Sequence, residues 1–107
     1  MVHPDNIANQ IEGGLIQGLS WALKEEVKFE DTAVLSRDWA SYPIITFAEA
    51  PPVEVALIDR PGAPYLGTGE ASQGPAGAAV ANAVFDAIGV RVTRLPLTPD
   101  RIKAAMG

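Results

Sequence analysis

Cysteine is absent from the 107 residues, which excludes disulfides, thiolate-held zinc, iron–sulfur ligation and a thiol nucleophile within this chain. Histidine occurs once, as His3, leaving no Ser-His-Asp set and no His/carboxylate spacing of a metal cage. Positive charge is scarce too: Lys and Arg total 8 against 13 Asp and Glu, for a net charge of −5 and a pI of ≈ 4.6. Without a basic run, neither nucleic acid nor an anionic membrane surface is an expected partner. No apolar run is long enough to span a bilayer, and no basic segment followed by an apolar one marks a targeting signal. Membrane insertion is therefore not expected, and the compartment stays open. Repeats and low-complexity tracts are missing as well.

What is present is small and apolar. Apolar residues make up 48% of the chain and its mean hydropathy is +0.13, too hydrophobic for disorder, while the Ala and Gly content points to close packing rather than bulk. A domain of this length buries somewhat under ~70% of its unfolded surface, so one core is the limit.

From Pro4 to about Glu25, Ile7, Ile11, Leu15, Leu19 and Leu23 recur every four positions, which predicts an amphipathic helix. Pro4 suits its first position and Asp5 the positive end of its dipole, although His3 is a mediocre cap. A chain that starts directly on a helix suggests an upstream strand outside it. Gly13, Gly14 and Gly18 lie inside this helix, each costing about 0.8–1 kcal/mol relative to Ala. Such a cost fits a face against which another backbone or a flat cofactor lies closely, with Gln10 and Gln17 on one side, two turns apart. Surface glutamines are the plain alternative for both.

Val27–Phe29 and Thr32–Leu35, around a polar turn at Glu30-Asp31, read as a short hairpin. Trp39, Tyr42 and Phe47 are expected to fill a core, with stacking on a substrate as the alternative, and Val53–Ile58 to form a strand with Val53, Val55 and Leu57 on one face. Asp59–Pro64 is loop by every turn signal. From Pro75 to Ile88 a helix rich in Ala and apolar on nearly all sides is expected to be buried, with Asn82 as a hydrogen-bonded latch and Gly89 as its stop. A short extended piece over Val90–Leu95 and a last helix announced by Thr98-Pro99-Asp100 complete an α+β chain. Its sheet is small and mostly antiparallel.

Between strand and Ala-rich helix lies LGTGEASQG. Here Glu70 sits in a glycine-rich turn just before a helix N-terminus, where backbone dipoles favour negative charge. Glu70 is a candidate general base, with a solvated loop acid as the alternative. Gly67, Thr68 and Gly69 do not make a nucleotide loop, because Ser72 replaces the third glycine of the dinucleotide fingerprint and no Lys-Ser/Thr pair follows.

In order, HPDNIANQIEGGLIQGLSWALKEE, WASYPI, PPVEVALIDRP, LGTGEASQGPAGAAVANAVFDAIGVR and LPLTPDRI resemble the C-terminal end of the molybdopterin-binding subunit of the xanthine dehydrogenase and aldehyde oxidase family, in its bacterial isoquinoline 1-oxidoreductase beta-subunit form. The resemblance covers residues 1–107, as one part of a molybdopterin-binding domain. It implies a hydroxylase of aldehydes or N-heteroaromatic compounds that uses water as oxygen source at a molybdenum–molybdopterin cofactor. In the family's G-x-G-E motif the glutamate, here Glu70, is the base that deprotonates the hydroxyl at the metal. The glutamine of Q-x-E-G, here Gln10, hydrogen-bonds the cofactor, and Gly67, Thr68 and Gly69 let the turn approach it. Position 3 is His where the family more often has Asn.

The partners so implied are the remainder of the molybdopterin-binding subunit, an iron–sulfur subunit or domain that carries the electrons away, and the small substrate. The isolated chain is expected to be inactive. Two other readings stand beside this one: a non-catalytic partner-binding module that self-associates when isolated, and an independent small-molecule-binding domain.

Overall fold

The computed structural model describes all residues from Met1 to Gly107. The order of elements is α1 (Pro4–Leu23), β1 (Phe29–Glu30), β2 (Ala33–Val34), α2 (Gln73–Ile88) and α3 (Pro99–Met106), the expected α+β arrangement. Pro4 opens α1, and His3 caps it, its Nδ1 accepting the Asn6 N–H at 3.1 Å. An imidazole nitrogen thus does the work of the Asn amide oxygen, and the mediocre cap is a working one. The hairpin is antiparallel, pairing Phe29 with Val34 and Glu30 with Ala33. Its turn lies one residue later than expected, because Asp31 takes the left-handed conformation (φ 48°) that Asp tolerates better than most residues.

α2 begins at Gln73, two residues before Pro75, and ends on Gly89 at φ 72°, the left-handed stop expected of that glycine. Thr98 caps α3 by accepting the Arg101 N–H, with Pro99 in the first turn. No helix is long and apolar enough to cross a membrane.

The core is small and sits along one side of α1. Eight residues are buried: Gly14, Gly18, Ser20 and Ala22 of α1, Ser72 and Ala76 at the start of α2, and Pro96 and Leu97. Leu97 closes the far end, its N–H donating to the Ala22 carbonyl at 2.6 Å. Arg101 then ties α3 to the end of α1, donating to the Pro96 carbonyl and pairing with Glu26. That guanidinium holds the Glu26 carboxyl below its ordinary range. Segment 42–50 is fastened to the same region: Ser20 Oγ accepts the Ile45 N–H, Tyr42 donates to Glu25, and Lys24 pairs with Glu49 at 2.6 Å.

The large apolar stripe of α1 is not the buried one. Residues four apart drift by about 40° around a helix, so the stripe that starts at Ile7 leaves the packed face, and Leu15 and Leu19 are only half-buried. Further expectations are corrected. The Ala-rich helix buries only Ala76, since α1 is the only helix or strand packed closely against it, and Asn82 meets its partner, Arg91, at the surface. Trp39 and Phe47 are not core residues but are 76% and 100% exposed. Val53–Ile58 alternates between half-buried and exposed residues as a strand would, yet no backbone group of residues 51–59 makes a hydrogen bond, because β1 and β2 pair only with each other. Residues 90–95 likewise form no strand.

These exposures add up to an open shape. The radius of gyration is 16.9 Å, against about 13 Å for a compact chain of this length. Accessible surface is 8116 Å², where a compact monomer of this mass has about 5,700 Å².

Candidate functional site

One face of α1 gathers the site. Residues 10, 11, 14, 17 and 18 recur at helical spacing and all meet the stretch from Gly69 to Ala76. Gln10 Nε2 donates to the Gly69 carbonyl at 3.3 Å, across 59 residues of chain. Ser72 Oγ donates to the Ile11 carbonyl at 2.9 Å. Gln73 Nε2 donates to Gln17 Oε1 at 2.5 Å. Between these bonds the backbones touch: a Cβ on Gly18 would stand 2.6 Å from that of Ala76 and 3.0 Å from the Gln73 carbonyl oxygen, whereas one on Gly13 would meet nothing within 4 Å. The expected close-packing face is therefore real, and Gly14 and Gly18 carry it while Gly13 does not.

The turn held there presents bare main chain. Gly67 to Glu70 donate no backbone hydrogen bond within the chain. A Cβ on Gly67 would have open space, and one on Gly69 would meet only Gln10 Nε2, at 3.7 Å. Thr68 is half-buried and Glu70 exposed. Beside Glu70 runs an open groove of about 430 Å³ lined by Gly18, Trp21, Gln73, Gly77 and Leu95 among others. Glu70 is its one ionisable side chain, flanked by the neutral amide of Gln73. No group of three or more His, Cys, Asp or Glu is placed to hold a metal ion.

Of the residues singled out from sequence, Gln10, Gly69 and Glu70 come together in space, with Gly67 and Thr68 in the same turn. Ser72 and Gln73 escaped that reading. A serine directly before a helix is ordinarily taken for its N-cap, and nothing local shows that its hydroxyl points instead to a helix 61 residues away. Trp21, which lines the groove beside Gly18, escaped it as well.

Built this way, the chain gathers a carboxylate, an amide and uncovered backbone beside one open groove. Its matches to known proteins each cover a small part of them. A molybdopterin cofactor-binding domain model matches residues 1–51, a span that includes Gln10 and stops before Glu70. A nicotinate dehydrogenase subunit of Pseudomonas putida is 46% identical over 100% of this chain and 9% of its own length. The isoquinoline 1-oxidoreductase beta chain of Brevundimonas diminuta is 31% identical over 92% of this chain and 12% of that protein. The crystal structure of quinoline 2-oxidoreductase from Pseudomonas putida 86 matches with a TM-score of 0.88 and 29% identity, over 99% of this chain and 14% of that one. The chain belongs to the family of molybdopterin-binding subunits of the xanthine dehydrogenase and aldehyde oxidase type. It spans about a tenth of the length of these oxidoreductase relatives.

Proposed function

We propose that this chain forms one wall of the active site in a molybdopterin-dependent hydroxylase, with Glu70 as general base. The observation that carries the reading is the Gln10–Gly69 hydrogen bond. It joins the Q-x-E-G helix to the G-T-G-E turn, so both motifs face one place although 59 residues separate the bonded pair.

The residues present fit the cofactor. Unbonded amides of residues 67–70 can donate to a polar, oxygen-rich group, glycines at 67 and 69 leave it room, and Gln10 keeps its Oε1 free to accept. When bound, the molybdenum centre would supply the two-electron oxidation and the oxygen taken from water. This chain's part is acid–base and positional: Glu70 accepts the proton released as that oxygen becomes a nucleophile, and Gln10, Gly67, Thr68 and Gly69 hold the cofactor's edge. An aldehyde or N-heteroaromatic substrate is the class the reading takes, the latter supported by relatives named for nicotinate, isoquinoline and quinoline. Iron–sulfur ligands must come from another domain or subunit, since this chain has no cysteine.

By itself the segment is inactive on this reading, because Glu70 faces solvent and a base works best where water is excluded. In the complete enzyme, Glu70→Gln should leave molybdenum bound and lower kcat about 10²- to 10⁴-fold. Unchanged turnover would sink the base assignment.

A second reading, a partner-binding module without catalysis, is favoured by the exposure of Phe47, Tyr65 and Leu66, at 100%, 97% and 88%. It predicts association through these side chains in a molybdenum-free polypeptide.

A further inference from the structure

We propose that Ser72 is a positioning residue for Glu70, its buried hydroxyl seating the G-T-G-E turn on α1. The inference rests on the general-base reading of Glu70 and names the group that aims the carboxylate. Ser72 occupies the N-cap position of α2 but makes no capping bond there, with helical φ and ψ of −96° and −19°. A serine cap would normally accept an N–H two or three residues on. Here Oγ turns the other way and donates to the Ile11 carbonyl at 2.9 Å, with the residue only 6% exposed.

On the other side of Glu70, Gly69 is held by Gln10. The short span from Gly69 to Ser72 is thus tied at both ends to consecutive residues of α1. Glu70 lies inside that span, so its backbone has little freedom to turn the carboxylate away. The Ser72 bond is the shorter and more buried of the two, hence the stiffer. It also explains a glycine: a Cβ on Gly14 would collide with Ser72 Oγ, so the seat exists only while position 14 has no side chain. Helix packing alone would not require a hydroxyl at 72, since alanine would fill the same slot.

The test uses the complete enzyme with Ser72→Ala, Gly14→Ala and Glu70→Gln in parallel. Ser72→Ala should keep its molybdenum and a KM within about threefold of wild type while kcat falls about 10- to 100-fold, the scale expected when a catalytic group is misplaced by about 1 Å. Limited proteolysis within residues 67–72 should quicken, while amide exchange in α3 stays unchanged, whether or not molybdenum is loaded. Gly14→Ala, which attacks the seat from its opposite wall, should give the same kcat-selective loss. If Glu70→Gln is inactive and Ser72→Ala retains full kcat, the positioning role is wrong and the base survives. Loss of molybdenum or faster exchange throughout the chain in Ser72→Ala would reduce the hydroxyl to a structural bond and overturn the proposal. Full activity in Glu70→Gln would instead remove the base, and the seat's catalytic role with it.

Discussion

Along one side of α1 the small residues Gly14, Gly18 and Ala22 are buried against the start of α2 and the Leu97 segment, while on another side the larger Leu15, Ile16 and Leu19 stay half-buried beside a groove of about 290 Å³ shared with Pro51, Pro52 and Val53. Hydrophobicity alone would have reversed the two. The small side is complete within the chain because glycine lets backbone reach backbone, and polar side chains can then bond across the contact. Three such bonds, from Gln10, Ser72 and Gln73, fix the turn that carries Glu70. The large side is incomplete because bulky residues need an equally bulky partner, and what borders it is the start of a segment, residues 51–59, without one backbone hydrogen bond of its own. One side of the helix is closed within the chain; the other is left open by it.

The largest effect that could break this contrast is in amide exchange. Residues 53–58 of the isolated chain should exchange near the rate of free peptide, and slow by orders of magnitude in the complete enzyme if a neighbouring strand pairs with them. Equal rates in both would mean that the large side was already finished.

Gly18→Leu comes next. A side chain there must displace Ala76 and the Gln73 backbone, an overpacking cost of about 1–3 kcal/mol. Its control is Gly13→Ala, which meets nothing and should stabilise by about 0.8–1 kcal/mol through helix propensity. Thermal melting of both variants reads the pair, and losses of equal size would erase the distinction between the two glycines.

The smallest effect concerns acid. Lys24, with help from the Thr46 N–H and hydroxyl, lowers the Glu49 carboxyl from 4.5 to about 2. A carboxyl lowered on folding stabilises above its unfolded value and loses that contribution as pH falls through the folded one. Melting should therefore show a shallow loss between about pH 4.5 and 2 that Glu49→Gln flattens; an unchanged profile would show that this exposed pair contributes nothing.

Much of this architecture is written locally. Pro4, Thr98-Pro99-Asp100 and Gly89 mark helix ends by chemistry that needs no tertiary context, and all three do so here. The hairpin follows from the same kind of signal, to within a residue. The site was half legible: its residues stand out as motifs, and their meeting can be expected from the glycine face of α1. What sequence could not show is directional. Gly13 and Gly14 look alike until α2 chooses one of them, and Ser72 stands only as a break in a glycine fingerprint until its hydroxyl is seen on Ile11. Trp39 and Phe47 were expected inside because aromatic side chains usually find a core, but this chain has too little core to receive them. Val53–Ile58 has the pattern of a strand and lacks only its neighbour, which no pattern within the segment can provide.

The central claim is that the finished side of α1 serves a molybdenum pocket assembled with the rest of a larger subunit. The most direct test captures the native polypeptide that carries this sequence from its source and measures its intact mass together with its molybdenum content. The account predicts a chain or complex several times larger than 11.3 kDa with molybdenum bound. A molybdenum-free product of about that small mass would contradict it, and would leave Glu70 as a surface acid on a partner-binding module.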